Sequence, residues 1–124
     1  MAIAQRMPLE ISAPPLAPTE EALDFAHLSR MTLGERDLGR EVLALFEQQA
    51  ELLLARMTGR ERRVIATAAH TLKGSARGIG AWRVALAAEA VEFADAAKQA
   101  GAVEALSGAV AETRRAIARH LSAH

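Results

Sequence analysis

After Pro18 the chain contains no proline: Pro8, Pro14, Pro15 and Pro18 all lie in its first eighteen residues. Proline removes a backbone donor and pushes its predecessor toward extended geometry, so residues 1–18 read as a flexible arm, expected to be mobile and dispensable. Residues 19–124 are free to be helical throughout. Half the chain is hydrophobic (51%) but only 3% is aromatic, and alanine dominates its second half. Alanine loses no side-chain entropy in a helix, whereas a β-sandwich needs β-branched and aromatic alternation that is missing here. The expected class is therefore all-α.

Thr19 is a candidate N-cap, with Glu20 and Glu21 in the first turn, for a short helix ending near Met31. Thr32-Leu33-Gly34 breaks it. Leu38, Val42, Leu45, Phe46, Gln49, Leu52 and Leu53 recur at helical spacing and predict a second helix ending at Thr58-Gly59. A third is expected from Glu61 to Arg77, stopped by Gly78-Ile79-Gly80. A fourth is expected from Trp82 to Ala100, stopped by Gly101, and a fifth from Val103 to His120. Four long helices with short connections pack most economically as an antiparallel up-and-down four-helix bundle, with the additional short N-terminal helix capping or flanking it.

Fifteen basic residues balance fifteen acidic ones, which gives no electrostatic footprint for nucleic acid or an anionic membrane. The chain has no cysteine, so disulfides, thiolate metal sites and cysteine nucleophiles are excluded. No apolar run approaches the ~20 residues of a membrane span, and the proline-broken N-terminus does not read as a signal-peptide core. A soluble, cytoplasmic monomer is expected.

The chemistry concentrates in Ala69-His70-Thr71-Leu72-Lys73-Gly74-Ser75-Ala76-Arg77-Gly78-Ile79-Gly80-Ala81. On a helix, Ile65, Ala68, Leu72, Ala76 and Ile79 form one face, with Ser75 at its edge. Arg63, Ala66, Thr67, His70, Lys73, Gly74 and Arg77 form the other. His70 thus points away from the core, among small residues and cations. Imidazole is a competent nucleophile, and a phosphoryl group on its distal nitrogen would carry roughly two negative charges. Lys73 at i+3 and Arg77 at i+7 would balance that charge. Gly74 costs roughly 1 kcal/mol relative to alanine in a helix interior, and it opens the same face to another protein's active site.

In these residues the chain resembles the histidine-containing phosphotransfer (HPt) domains of phosphorelays. The family pattern is His-x-Leu-Lys-Gly-Ser followed by a Gly-Ala pair. It is matched by His70, Leu72, Lys73, Gly74, Ser75, Gly80 and Ala81, with Val84, Ala88, Val91 and Glu92 falling at further family positions. The resemblance implies that His70 accepts the phosphoryl group, Lys73 balances charge and Gly74 gives clearance. Ser75 is implied to be a packing hydroxyl, suited here to a bond with a preceding carbonyl. The implied partner is the receiver domain of a response regulator or hybrid histidine kinase, docking around Arg63, Ala66, Thr67 and Arg77. That partner would bring the phosphoaspartate and the magnesium ion, so no cofactor is expected on this chain. With no Gly-rich nucleotide loop, no autokinase activity is expected. The rival reading is an HPt-like interaction module that binds a kinase or response regulator without transferring phosphate.

Other residues carry blander expectations. His120 and His124 stand at i, i+4 but with no third ligand in view, so no metal site is assigned. His27 is expected at the surface, and Trp82 as a packing anchor. On the fourth helix Leu86, Ala90, Phe93 and Ala97 form a stripe nearly opposite Val84, Ala88 and Val91. Both stripes cannot face one core, so one is covered by another segment or left as an exposed apolar strip.

Overall fold

The computed structural model describes residues 21–123, and among them every regular element is an α-helix: α1 (Phe25–Met31), α2 (Arg36–Ala55), α3 (Arg62–Ile79), α4 (Trp82–Phe93) and α5 (Ala96–Ala123). Helices α2 to α5 each pack on the next, and α2 also touches α5, which closes the bundle; α1 lies against α3. Leu23, Leu43, Leu72, Val84, Val91, Leu106 and Ile117 are fully buried at its centre. The expected core face of α3 is buried as read, and Ala69 is buried with it. Among the described residues no helix is long and apolar enough to cross a membrane. The expected arm, residues 1–18, the candidate cap Thr19 and His124 lie outside the described residues.

Several boundaries differ from expectation, and the largest differences, at the start of α1, the end of α4 and the start of α5, come from capping. Helix α1 starts at Phe25 because Asp24 takes the cap position, its Oδ1 accepting from the His27 amide at 3.0 Å. Helix α4 stops at Phe93, not Ala100. Ala94 turns extended (ψ 140), and Asp95 caps α5 by accepting from the Lys98 amide at 3.0 Å. Arg62 donates to the Ala94 carbonyl at 3.1 Å, satisfying the group the break exposes. Gly101 then runs inside α5, since one exposed glycine costs too little to end a helix already capped upstream. Gly78 likewise stays inside α3, which is ended by Gly80 in the left-handed conformation (φ 84).

Small residues set the spacing of the central pair. Ala68, Ala69 and Ala76 of α3, with Ala81 at the turn and Ala85 and Ala88 of α4, are buried and let the two helices approach closely. A second tie holds their turn. The Asp24 amide donates to the Gly80 carbonyl at 2.9 Å, and Trp82 Nε1 donates to Asp24 Oδ2 at 2.9 Å. His27 is buried, not at the surface, because its ring packs edge-on against Trp82 at 4.9 Å beneath α1. Burial would raise the Asp24 carboxyl. The Trp82 bond, the His27 amide and the charges of His27 and Arg30 together outweigh it and hold the carboxyl below the ordinary aspartate range.

Candidate functional site

His70 stands on the outer face of α3 with a side chain 67% exposed. Its Nδ1 lies 2.8 Å from Glu92 Oε2 on α4. The pairing follows from the hairpin: Ala81 lies midway in sequence between His70 and Glu92, so antiparallel helices turning there set the two opposite each other. An ionised carboxylate can only accept, so Nδ1 carries the hydrogen and donates it. In the neutral ring the lone pair is then on Nε2, which has no protein partner among the described residues.

Lys73 departs from the face assigned to it. It is buried, not open beside the ring. Its Nζ lies 2.7 Å from Glu92 Oε1 and 3.8 Å from Glu89 Oε2, and sits 5.5 Å above the centre of the Phe93 ring. At i+3 the side chain leans toward α4, and the close approach of that alanine-lined helix covers its stem while offering two carboxylates. The cation therefore balances Glu92 first. Glu92 in turn is held below the ordinary glutamate range, chiefly by Lys73, against the opposing effect of burial and with further help from His70. Histidine, carboxylate and lysine make one connected group in which Glu92 bridges both cation-capable side chains.

The remaining expected residues fall around this group. Gly74 is exposed, and a Cβ built on it would meet nothing within 4 Å, so nothing inside the chain requires glycine there. Arg77 is exposed but leans to α4, its Nη2 3.8 Å from Glu89 Oε2, in the range where surface pairs contribute little. Ser75 donates to Gln49 Oε1 on α2, not to a preceding carbonyl, because its edge position faces that helix. The back-bond to a carbonyl is made by Thr71, to Thr67 at 3.2 Å. Arg63 and Thr67 are exposed and Ala66 half-buried. On α4 the Val84-Ala88-Val91 stripe is core. Leu86 (55% exposed) and Phe93 (73%) are left outward, uncovered by any described segment. His120 stacks on Phe25 at 4.6 Å.

Sequence reasoning assigned no role to Glu92 or Asp24. Periodicity within one helix cannot pair residues on two helices. The usable signal for Glu92 was the tight Gly80-Ala81 turn, which fixes which residues of α3 and α4 lie opposite. Asp24 offered only the weak signal of an N-cap residue type.

Comparison with known proteins bears on this geometry. The family profile described as Hpt domain matches residues 41–122. The crystal structure of the histidine phosphotransferase ShpA from Caulobacter crescentus, at 1.52 Å resolution, is similar with a TM-score of 0.68 and 32% sequence identity. That match covers 82% of this chain and 92% of the ShpA chain. No curated protein matches.

Proposed function

Because the chain belongs to the Hpt domain family, we propose that it is a cytoplasmic phosphorelay carrier whose His70 Nε2 takes a phosphoryl group from a receiver-domain aspartate and yields it to another. The observation that carries this reading is the exposed imidazole held through Nδ1 by an ionised Glu92. In the forward step the Nε2 lone pair attacks phosphorus. The bond from phosphorus to the aspartyl oxygen breaks, and the aspartate leaves as a carboxylate with that electron pair. No proton need move, because Nδ1 keeps its hydrogen. The ring becomes cationic, and the Glu92 carboxylate 2.8 Å away stabilises that charge. Lys73 keeps Glu92 ionised, so the carboxylate orients the ring without taking its proton. The magnesium ion belongs to the receiver, and the chain acts without kinase activity of its own.

Incubation with a phosphorylated receiver domain tests the reading. Label taken up should be acid-labile and base-stable, the signature of phosphohistidine, and should map to His70. Label that survives acid, or maps elsewhere, would sink it.

Glu92→Gln keeps an acceptor near Nδ1 but removes the charge. Phosphohistidine should form roughly tenfold more slowly, about the 1–1.5 kcal/mol weight of one charge-assisted interaction. Stability should fall too, since Lys73 loses its main partner. The sign with pH follows from the lowered carboxyl. Its contribution is fully present above the ordinary glutamate value of about 4.3 and is lost as pH falls through the lower folded value. Melting of both proteins from pH 7 to pH 3 should show the gap closing at the acid end. A gap independent of pH would remove the charge from the account.

Gly74→Leu separates folding from docking. The helix should gain up to about 0.8 kcal/mol in propensity, while the new side chain stands on the open face beside His70 and obstructs the partner. A higher melting temperature with much slower transfer is expected. Unimpaired transfer would remove the clearance role.

A further inference from the structure

A cleft of about 170 Å³ opens between α1, the first turns of α2 and the last turns of α5. Phe25, Leu28, Leu121 and the His120 ring give it a largely apolar wall, and Arg36 and Arg40 line it from α2. None of its lining residues belongs to the His70 group or to the surface expected to meet a receiver. We infer that this cleft is a second binding site, one that takes a small monocarboxylate with a single aromatic ring. The ring lies against Phe25 and Leu28, and the carboxylate meets Arg36 and Arg40. The inference goes beyond the carrier reading and does not depend on it.

Three observations support it. Gly39 is buried within α2, where glycine weakens a helix relative to alanine. A Cβ built on it would meet nothing within 4 Å, so packing inside the chain does not ask for glycine there. What the missing side chain leaves is the open space of the cleft that Gly39 lines. Second, the size is selective. A closed apolar cavity of about 150 Å³ holds benzene, so this cleft admits one ring and a short tether, not a helix of another protein. Third, Arg36 and Arg40 have no carboxylate partner among the described residues, whereas Arg77, Arg83 and Arg114 are each matched with a glutamate. Glu35 also lines the cleft but forms an ion pair with neither arginine. Two guanidinium groups against one carboxylate leave the cleft positive, which suits a monoanion better than a dianionic phosphate. Guanidinium offers a carboxylate two parallel N–H donors, and the aromatic wall suits a planar ring.

The test uses the full chain and three probes: 3-phenylpropionate, its neutral amide and acetate. Titration of the ¹⁵N-labelled protein with 3-phenylpropionate should move the amides of Leu28, Gly39, Arg40 and Leu121, with a Kd of about 1 mM. At tenfold that concentration the melting temperature should rise by about 5 °C, because the ligand binds the folded chain alone. The neutral amide should bind about fivefold more weakly, and acetate should leave these signals in place. Gly39→Leu introduces a better helix former whose side chain fills the cleft. It should melt no lower than wild type and lose the ligand-induced shifts. Arg36→Gln/Arg40→Gln should bind the carboxylate no better than the amide, with melting unchanged because both side chains are exposed. That variant decides the matter by itself if Gly39→Leu melts low. Both variants should still take up label at His70, so failure of the cleft and failure of the carrier reading are read separately. No shift at tenfold the expected Kd, equal binding of carboxylate and amide, or undiminished binding by a folded Gly39→Leu protein would overturn the inference. So would cleft amides that move in a Leu9→Asp/Ile11→Asp/Leu16→Asp chain without ligand, which would mean that residues 1–20 fill the cleft.

Discussion

A His70→Gln protein is expected to fold normally and to accept no phosphoryl group. The side chain is mostly exposed, and its one hydrogen bond among the described residues, to Glu92, can be kept by the donor half of a glutamine amide. Glu92 also retains Lys73. The stability change should stay within ~0.5 kcal/mol, as for ordinary surface substitutions. Reactivity is another matter. An amide nitrogen's lone pair is delocalised into the carbonyl, so no nucleophile remains where Nε2 stood. Uptake of label from a phosphorylated receiver should fall to background while circular dichroism and melting temperature hold. Residual uptake at the wild-type rate would place the acceptor on another residue, and a collapsed melting curve would make the loss of uptake uninformative about chemistry.

Gly80→Ala is expected to destabilise the bundle by about 2–4 kcal/mol, a fall in melting temperature on the order of 10–20 °C for a domain of this size. Gly80 has φ 84, which costs an L-residue with a side chain roughly 1–2 kcal/mol. A Cβ there would also stand 2.9 Å from the Asp24 carbonyl oxygen, 3.0 Å from Asp24 Cβ and 3.2 Å from His27 Cβ. None of these is the free end of a flexible side chain. Relief requires moving the Asp24 backbone, which donates its amide to the Gly80 carbonyl and holds Trp82 through its carboxylate. A thermal melt decides it. A melting point within a few degrees of wild type would show that the turn relaxes, and that the Asp24 tie is not what fixes the α3–α4 hairpin.

The sequence was most legible where one helix decides the outcome alone. Ile65, Ala68, Leu72, Ala76 and Ile79 are buried, and His70, Gly74 and Arg77 are exposed, because period-3.6 patterning sorts faces without knowledge of neighbours. It was least legible where two elements share the decision. Lys73 reads as a solvent-facing cation on its own helix, and only the approach of α4 turns it into a buried partner of Glu92. Gly101 reads as the stop of the fourth helix, and Asp95 carries no expectation. Yet an aspartate that caps a new helix ends the preceding one more firmly than an exposed glycine does. His27 carries no sign of burial in its own helix, since what packs on it is Trp82, more than fifty residues on in the sequence. The two α4 stripes could not be ranked from their residues, because both are equally apolar. Packing against α3 and α5 chose the one made of smaller side chains.

The placement of the turn has a consequence for how this gene can vary in length. His70 and Glu92 meet because equal stretches of chain separate them from Ala81. Adding or removing one residue in that connection would leave α3 and α4 individually intact. It would also turn one helix by about 100° and slide it ~1.5 Å against the other. Glu92 would then leave the ring, and Lys73 would lose its counter-ion without any change in either residue. Insertions and deletions should therefore be tolerated at Thr58-Gly59 or beyond α5 long before they are tolerated at Gly80-Ala81, where spacing itself carries the chemical information.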